Sequence, residues 1–154
     1  MSGQLRGLLL PALLALASGC LPNGGATASP EAWVEIRGHR IAVEIADTPA
    51  KQALGLGQRD DLAWDHGMFF SYARPDFYAF WMKGMRFSID IVWILDNRII
   101  AIDRSVPFEP GGNGPTLRPD SLVDAVLEVP AGNATAHGWR IGDRVVTELA
   151  SSSH

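Results

Sequence analysis

The sequence lacks the residue patterns of most familiar active sites. Gly-x-Ser-x-Gly, His-Glu-x-x-His and a phosphate-binding glycine loop that opens a helix are all missing from the 154 residues. The single cysteine has no partner for a disulfide bond. A formal net charge of −4 at pH 7, with no cluster of lysines and arginines, argues against a nucleic-acid partner. The sequence alone therefore assigns no reaction.

Potential metal ligands are scattered along the chain. The four histidines lie far apart, and a loop that holds Asp60, Asp61, Asp65 and His66 matches no known ligand spacing. A solvated acidic loop is the favoured interpretation, and a cation site is the alternative. We therefore predict no metal and no cofactor.

The amino-terminal segment has the form of an export signal. One positive side chain, Arg6, precedes an apolar run over residues 8–16, and small residues follow at 17–19. The apolar run is too short for a membrane-spanning helix, which needs about 20 residues. Residues 1–19 are therefore predicted to be a signal peptide that is removed.

Cys20 stands where a signal peptidase would cut. Residues 16–20, Leu-Ala-Ser-Gly-Cys, resemble the lipobox of bacterial lipoproteins, in which the cysteine becomes the lipidated first residue. The alternative is an ordinary signal peptide with an incidental cysteine. Residues 20–32 are predicted to be the lipidated cysteine and a flexible tether, because they are small, polar or helix-breaking.

Lipidation of Cys20 would place the domain on the periplasmic side of the cell envelope. The membrane would then be a partner through the acyl chains, because the acidic protein part has little attraction for acidic lipid. Leu21 provides no acidic retention signal after the cysteine, which favours the outer membrane over the inner one.

Alternating hydrophobicity dominates residues 33–149, which we predict to be one domain. Trp33–Ile36 and Ile41–Ala46 alternate on either side of a turn at Gly38-His39 and predict a first hairpin. Further short strands are predicted at 67–70, 98–103, 123–129 and 144–149. The spacing predicts about eight short strands with one short helix, which indicates a mainly β fold, an antiparallel β-sandwich or barrel.

One short helix is predicted after the first hairpin. Asp47 or Thr48 can cap it, and Pro49 suits its first position. Its expected buried face consists of Ala50, Ala53 and Leu54. Residues 107–119, with four prolines and three glycines, predict a long loop, and residues 150–154 predict a frayed tail.

The stretch Phe77–Leu95 predicts a central β-hairpin with a turn at Gly84-Met85. The resulting register places Asp90 diagonal to Trp81, with Lys83 near the turn. A carboxylate beside a tryptophan ring could act as an acid or base, or could bind a hydroxyl of a ligand. The favoured alternative is structural: Asp90 accepts hydrogen bonds that fix the hairpin.

Several motifs resemble those of a bacterial and archaeal family known as domain of unknown function 192. The shared features are a threonine-led helix, an arginine and a leucine after it, two aromatic segments, an aspartate and two late glycine turns, here at Thr48, Gly55-Leu56, Arg59, Leu62, 67–70, 80–83, Asp90-Ile91, Leu127-Glu128, Ala131-Gly132 and Gly142-Asp143. The resemblance covers residues 33–149 and adds Arg59 and Glu128 to the candidate site. It implies a jelly-roll-like β-sandwich and supplies no reaction.

We expect a cell-envelope lipoprotein domain that serves in binding or assembly in the periplasm. Its partner would be an unknown envelope ligand or protein. The candidate binding or structural site consists of Trp81, Lys83, Asp90, Glu128 and Arg59. The alternative function is an envelope hydrolase that uses Asp90 near Trp81 and Lys83, and a third possibility is a purely structural lipoprotein.

Overall fold

The computed structural model describes residues 32–149. The predictions for the signal peptide, for Cys20 and most of its tether, and for the tail at 150–154 lie outside the described residues. Within 32–149 there are nine strands and two short helices: β1 Ala32–Ile36, β2 His39–Ile45, α1 Pro49–Leu54, β3 His66–Asp76, β4 Phe80–Trp81, β5 Ile89–Leu95, β6 Arg98–Val106, β7 Thr116–Leu117, β8 Val123–Pro130, α2 Asn133–Ala136 and β9 Val145–Leu149.

Seven of the strands form one sheet in the order β6-β5-β8-β3-β2-β1-β9, and β4 pairs with β7 in a small second sheet. Pairing is antiparallel throughout except between β2 and β3, which are parallel. The two edges of the large sheet approach each other. The backbones of Arg98 and Arg144 form an isolated antiparallel β-bridge, and the Ile99 N–H donates to the Asp143 carbonyl at 3.0 Å. The predicted mainly β fold is confirmed, and its large sheet is curled.

The first hairpin forms as predicted. β1 and β2 pair from Ala32 opposite Val43 to Ile36 opposite His39. The turn lies one residue earlier than expected, at Arg37 and Gly38, whose φ values are 53° and 79°. Two positive φ values in a two-residue loop suit the right-handed twist of the flanking strands, and glycine adopts such a value without strain.

The start of α1 was predicted correctly and its buried face was not. Thr48 is the N-cap, and its side chain accepts a hydrogen bond from the Lys51 N–H at 3.2 Å. No residue of α1 is buried; Ala53 and Leu54 instead border a cavity. Leu56, two residues beyond the helix, supplies the buried anchor.

Buried side chains form two clusters, one on each face of the large sheet. One cluster, which we call the inner cluster, contains residues of both edge strands, such as Ile99 of β6 and Val145 of β9, together with Trp139. The outer cluster includes Phe70, Trp93 and Val126. β5 serves both clusters, since Val92 faces the inner one and Trp93 the outer one. This explains why its residues 89–94 are all buried.

The predicted central hairpin is wrong in its first strand. Phe80 pairs with Leu117 and Trp81 with Thr116, both in the segment predicted to be a loop. Met85 donates to the Met82 carbonyl at 3.2 Å, so the chain turns before it enters β5. β5 pairs with β6 and β8 on its two sides, which leaves it no hydrogen-bonding edge for β4. The proposed register between Trp81 and Asp90 therefore does not exist.

In the part of the chain that the structure covers, 32–149, none of the helices has the length and apolar character needed to cross a membrane.

Candidate functional site

A cavity of about 370 Å³ opens on the outer face of the large sheet. α1 and the residues that follow it form one wall, β3 contributes Phe70 and Tyr72, and the segment around β4 contributes Tyr78, Phe80 and Trp81. Glu128 of β8 lies at the base. The volume falls in the range of small-molecule sites, whose walls are characteristically apolar and aromatic with few polar groups. We call this cavity the aromatic pocket.

The aromatic walls are held by contacts between rings. Tyr72 and Tyr78 stack with centroids 3.6 Å apart, and Phe70 meets Phe80 edge to face at 4.8 Å. The Tyr78 hydroxyl donates to the Arg74 carbonyl at 2.8 Å. Burial raises the pKa of Tyr72 to about 12, so its hydroxyl stays protonated at neutral pH. Pairs of aromatic rings in these arrangements contribute about 0.5–1.5 kcal/mol beyond the burial of their apolar surface. The aromatic walls are therefore largely pre-formed.

Trp81 stands at the rim of the aromatic pocket with 48 % of its surface exposed. β4 is only two residues long, and its pairing with β7 holds the tryptophan in place. Leu54 of α1, also part of the lining, is 52 % exposed. A large apolar side chain left in water beside a cavity is available to a ligand.

Glu128 is the ionisable group at the base of the aromatic pocket, and it is 5 % exposed. Its Oε2 atom is buried and has no hydrogen-bond partner. Burial raises the pKa of Glu128 to about 8, against the opposing influence of a hydrogen bond from the Leu56 backbone and of the Arg59 charge. At pH 7 the side chain is therefore mostly a neutral carboxylic acid, which can donate as well as accept a hydrogen bond.

Arg59 lies beside this site and is engaged elsewhere. Its guanidinium donates twice to the Glu44 carboxylate, at 2.5 and 2.8 Å. This pair lowers the pKa of Glu44 and raises that of Arg59. Both residues line a smaller cavity that shares Leu54 and Gly55 with the aromatic pocket. Arg59 therefore acts on Glu128 at a distance, through its charge.

Gly55 lines both cavities, a role that the sequence did not reveal. Its φ of 52° with ψ of −137° is a conformation that only glycine adopts readily. A Cβ atom at this position would lie 3.6 Å from Glu128 Oε2. The one available signal was a glycine directly after a capped helix, which favours a C-cap but says nothing of the carboxyl group beneath it.

Asp90 has no place in the aromatic pocket. It is fully buried, and its Oδ1 atom accepts from the N–H groups of Ser105 at 2.7 Å and Gly132 at 3.1 Å. Its Oδ2 atom accepts from the Ala134 N–H at 2.8 Å. These contacts support the structural alternative for Asp90 and remove the central carboxylate from the hydrolase hypothesis.

The other candidate residues are dispersed. Lys83 is exposed and lines a third cavity together with Gln58 and Glu109, and this cavity shares Met85 with the aromatic pocket. Of the five predicted site residues, only Trp81 and Glu128 line one cavity together.

The acidic loop does not assemble a cation site among the described residues. Asp60 pairs with Arg86, and Asp65 contacts the His66 ring at 2.8 Å. No group of three or more His, Cys, Asp or Glu side chains within 32–149 is placed to hold a metal ion.

Comparison with known proteins places the chain in a family. The profile of the domain of unknown function 192 family, described as Uncharacterized ACR, matches residues 32–147. A search among curated proteins gave no match.

Two solved structures are similar to this chain. A protein of unknown function from Novosphingobium aromaticivorans DSM 12444 is 33 % identical, with 74 % of this chain and 83 % of that one covered and a TM-score of 0.67. A protein from Sinorhizobium meliloti 1021, provisionally named a transcription regulator, is 28 % identical, with 75 % and 91 % covered and a TM-score of 0.66. With the match over residues 32–147, the chain belongs to the domain of unknown function 192 family.

Proposed function

We propose that this chain is an envelope lipoprotein domain whose aromatic pocket binds a small ligand. The observation that carries the proposal is a buried carboxyl oxygen, Glu128 Oε2, that has no protein partner and lies at the base of a cavity walled by aromatic rings. Buried polar atoms are rarely left unpaired in proteins, so an exception at the base of a cavity favours a ligand as the partner.

A binding role suits the chemistry of this pocket better than hydrolysis. Glu128 is the only carboxyl group among its lining residues, which include no serine, cysteine or histidine. A single neutral acid can hold a ligand, whereas hydrolysis by paired carboxyl groups or by an activated nucleophile needs a second group.

The envelope setting of the proposal rests on the sequence before the described residues. The export signal at 1–19 and the lipobox-like residues 16–20 support attachment to the membrane through Cys20, on the periplasmic side. The name of the Sinorhizobium relative suggests gene regulation. The acidic charge of −4 and the lack of a basic cluster favour a small ligand for this chain over DNA.

Thermal-shift screening of the full-length chain in detergent tests the proposal. The screen would contain envelope sugars, short peptides, amines and metal ions, because a ligand selective for the folded state raises the melting temperature. We expect a stabilising ligand whose effect is lost in Trp81→Ala. Trp33→Ala is the matched control, since Trp33 is also partly exposed, at 37 %, and does not line the pocket. A ligand that stabilises wild type and Trp81→Ala equally would contradict the proposal.

A further inference from the structure

The charges around the aromatic pocket restrict its ligand. The lining contains one acid, Glu128, and no lysine, arginine or histidine. The guanidinium of Arg59, whose charge acts on Glu128, is bound by both oxygens of Glu44. An anionic ligand would therefore lose its hydration without gaining an opposite charge, which is costly in a partly desolvated site. The ligand is neutral or cationic.

The unpaired oxygen and the rings favour a cation with N–H donors. Glu128 Oε2 needs a donor and has none from the protein. Rings of Phe70, Tyr72, Phe80 and Trp81 line the space in front of it. The faces of aromatic rings attract cations, by about 0.5–1 kcal/mol at exposed sites and by more where water is excluded. A carboxylate at the base of aromatic walls thus matches an ammonium group on an apolar body.

We infer that the aromatic pocket binds an organic ammonium ion, a protonated amine whose N–H groups donate to Glu128 Oε2 and whose apolar part packs against the rings. This inference rests on the proposed function, since it names the ligand class of the same pocket. It differs from a neutral ligand, which would accept a hydrogen bond from protonated Glu128.

Binding of an ammonium ion is coupled to the loss of a proton. Below about pH 8 the empty pocket holds Glu128 as a carboxylic acid. The bound ammonium favours the carboxylate, so the carboxyl proton leaves to solvent as the ligand enters. The affinity should therefore rise as pH rises toward 8 and then level off.

Three groups near Glu128 with shifted pKa values, Tyr72, Arg59 and Glu44, keep their protonation state over this range. Tyr72 of β3 titrates at about 12, and Arg59 has its pKa raised by Glu44. Glu44 of β2 has a lowered pKa and stays ionised. The Tyr78 hydroxyl donates to the Arg74 carbonyl. His66 interacts with Glu44 and lies outside the lining of the aromatic pocket.

Three probes with one aromatic scaffold test the inference by isothermal titration calorimetry on the full-length chain. Phenethylamine carries a positive charge, phenethyl alcohol carries none and phenylacetate carries a negative charge. We expect phenethylamine to bind more tightly than the alcohol and phenylacetate to bind least. The affinity for phenethylamine should increase about tenfold from about pH 6 to about pH 7. Close to one proton should be released per bound phenethylamine, which titrations in buffers of different ionisation enthalpy measure.

Two variants supply the controls. Glu128→Gln keeps the shape and cannot ionise, so it should remove both the preference for phenethylamine and the pH dependence. Trp81→Ala changes an exposed rim residue and should weaken phenethylamine while the pH dependence remains.

Three results would overturn the inference. Equal or tighter binding of phenethyl alcohol, or an affinity that falls as pH rises, would identify a pocket for neutral ligands and leave the proposed function standing. Failure of all three probes would also overturn it. The proposed function would also be contradicted only if the thermal-shift screen found no ligand whose stabilising effect requires Trp81.

Discussion

Asp90 ties β5 to α2: its Oδ2 atom accepts the Ala134 N–H at 2.8 Å, with both residues fully buried. Its other oxygen accepts from the N–H groups of Ser105 and Gly132. One carboxylate thus satisfies three backbone donors from two parts of the chain, the end of β6 and the start of α2. This contact is a structural junction, distinct from the ligand site proposed above.

Asp90→Asn should destabilise the fold. The amide offers one oxygen for three donors, and its NH₂ group must face at least one N–H, so we expect a loss of about 3 kcal/mol in the free energy of unfolding. Urea denaturation measures the loss. Asp61→Asn, at an exposed position in the loop after α1, is the control and should change stability by less than about 0.5 kcal/mol. Equal stability of the two variants would contradict the structural role.

Glu128 should make the stability depend on pH. Its folded-state pKa of about 8 exceeds the ordinary value of 4.5, so between these values the folded chain holds a proton that the unfolded chain has lost. Its stabilising contribution is therefore complete below about pH 4.5 and declines as pH rises toward 8, by up to ~1.4 kcal/mol per pH unit.

Denaturation series over this range with Glu128→Gln and Glu148→Gln measure the effect. Glu128→Gln should lose this part of the pH dependence and gain stability relative to wild type at the alkaline end. Glu148→Gln removes an exposed carboxylate on β9 and should keep the wild-type slope. A slope that survives in Glu128→Gln would place the responsible group elsewhere.

Gly55→Ala should cost stability through backbone strain. The backbone conformation at Gly55 is one that side chains disfavour, by about 1–3 kcal/mol. The added methyl group would also come within 3.6 Å of Glu128 Oε2 and cover it. Thermal melts measure the loss of stability. Phenethylamine titration measures the loss of binding that covering Glu128 Oε2 should cause.

Gly84→Ala separates these two effects. Gly84 also has a positive φ, of 73°, and has open space around its Cβ position. The Gly84→Ala variant should lose stability and still bind phenethylamine. Loss of binding in both variants would mean that strain alone, and not covering of Glu128, is responsible.

Cys20→Ala tests lipidation. If Cys20 is the lipidated residue, the variant should leave the membrane fraction and its mature form should lack the lipid-sized mass increment. Fractionation of cells and mass spectrometry of the purified protein measure both. Ser18→Ala keeps the cysteine and is the control. Membrane attachment that persists in Cys20→Ala, with unchanged mass, would contradict the lipoprotein assignment.

Local features were predictable from the sequence and non-local ones were not. The β1–β2 hairpin and the Thr48 cap depend on neighbouring residues, so alternation and side-chain chemistry revealed them. The pairing of β4 with β7 joins segments more than thirty residues apart. Nothing in the aromatic run distinguishes that partner from β5, because a strand pattern states which faces are apolar and not which strand lies alongside.

The burial of Glu128 is likewise a non-local property. Alternation along β8 separates Glu128 from the apolar positions and suggests a solvent-facing carboxylate. In the structure α1 and the β4 segment cover that face, so Glu128 is buried beneath them. The family resemblance singled out Glu128 and Arg59, but only the three-dimensional arrangement shows that one lies at the base of a cavity and the other is neutralised by Glu44.

The pairing of β1 with β9 has a consequence for how the chain is made. Ala32 of β1 lies opposite Leu149 of β9. The edge of β1 that does not pair with β2 can therefore form its hydrogen bonds only after β9 has been synthesised. Contacts this distant in sequence form slowly. A nascent chain can therefore hold the β1–β2 hairpin early, while the completed inner core, to which Val145 of β9 contributes, must form after translation has passed β9.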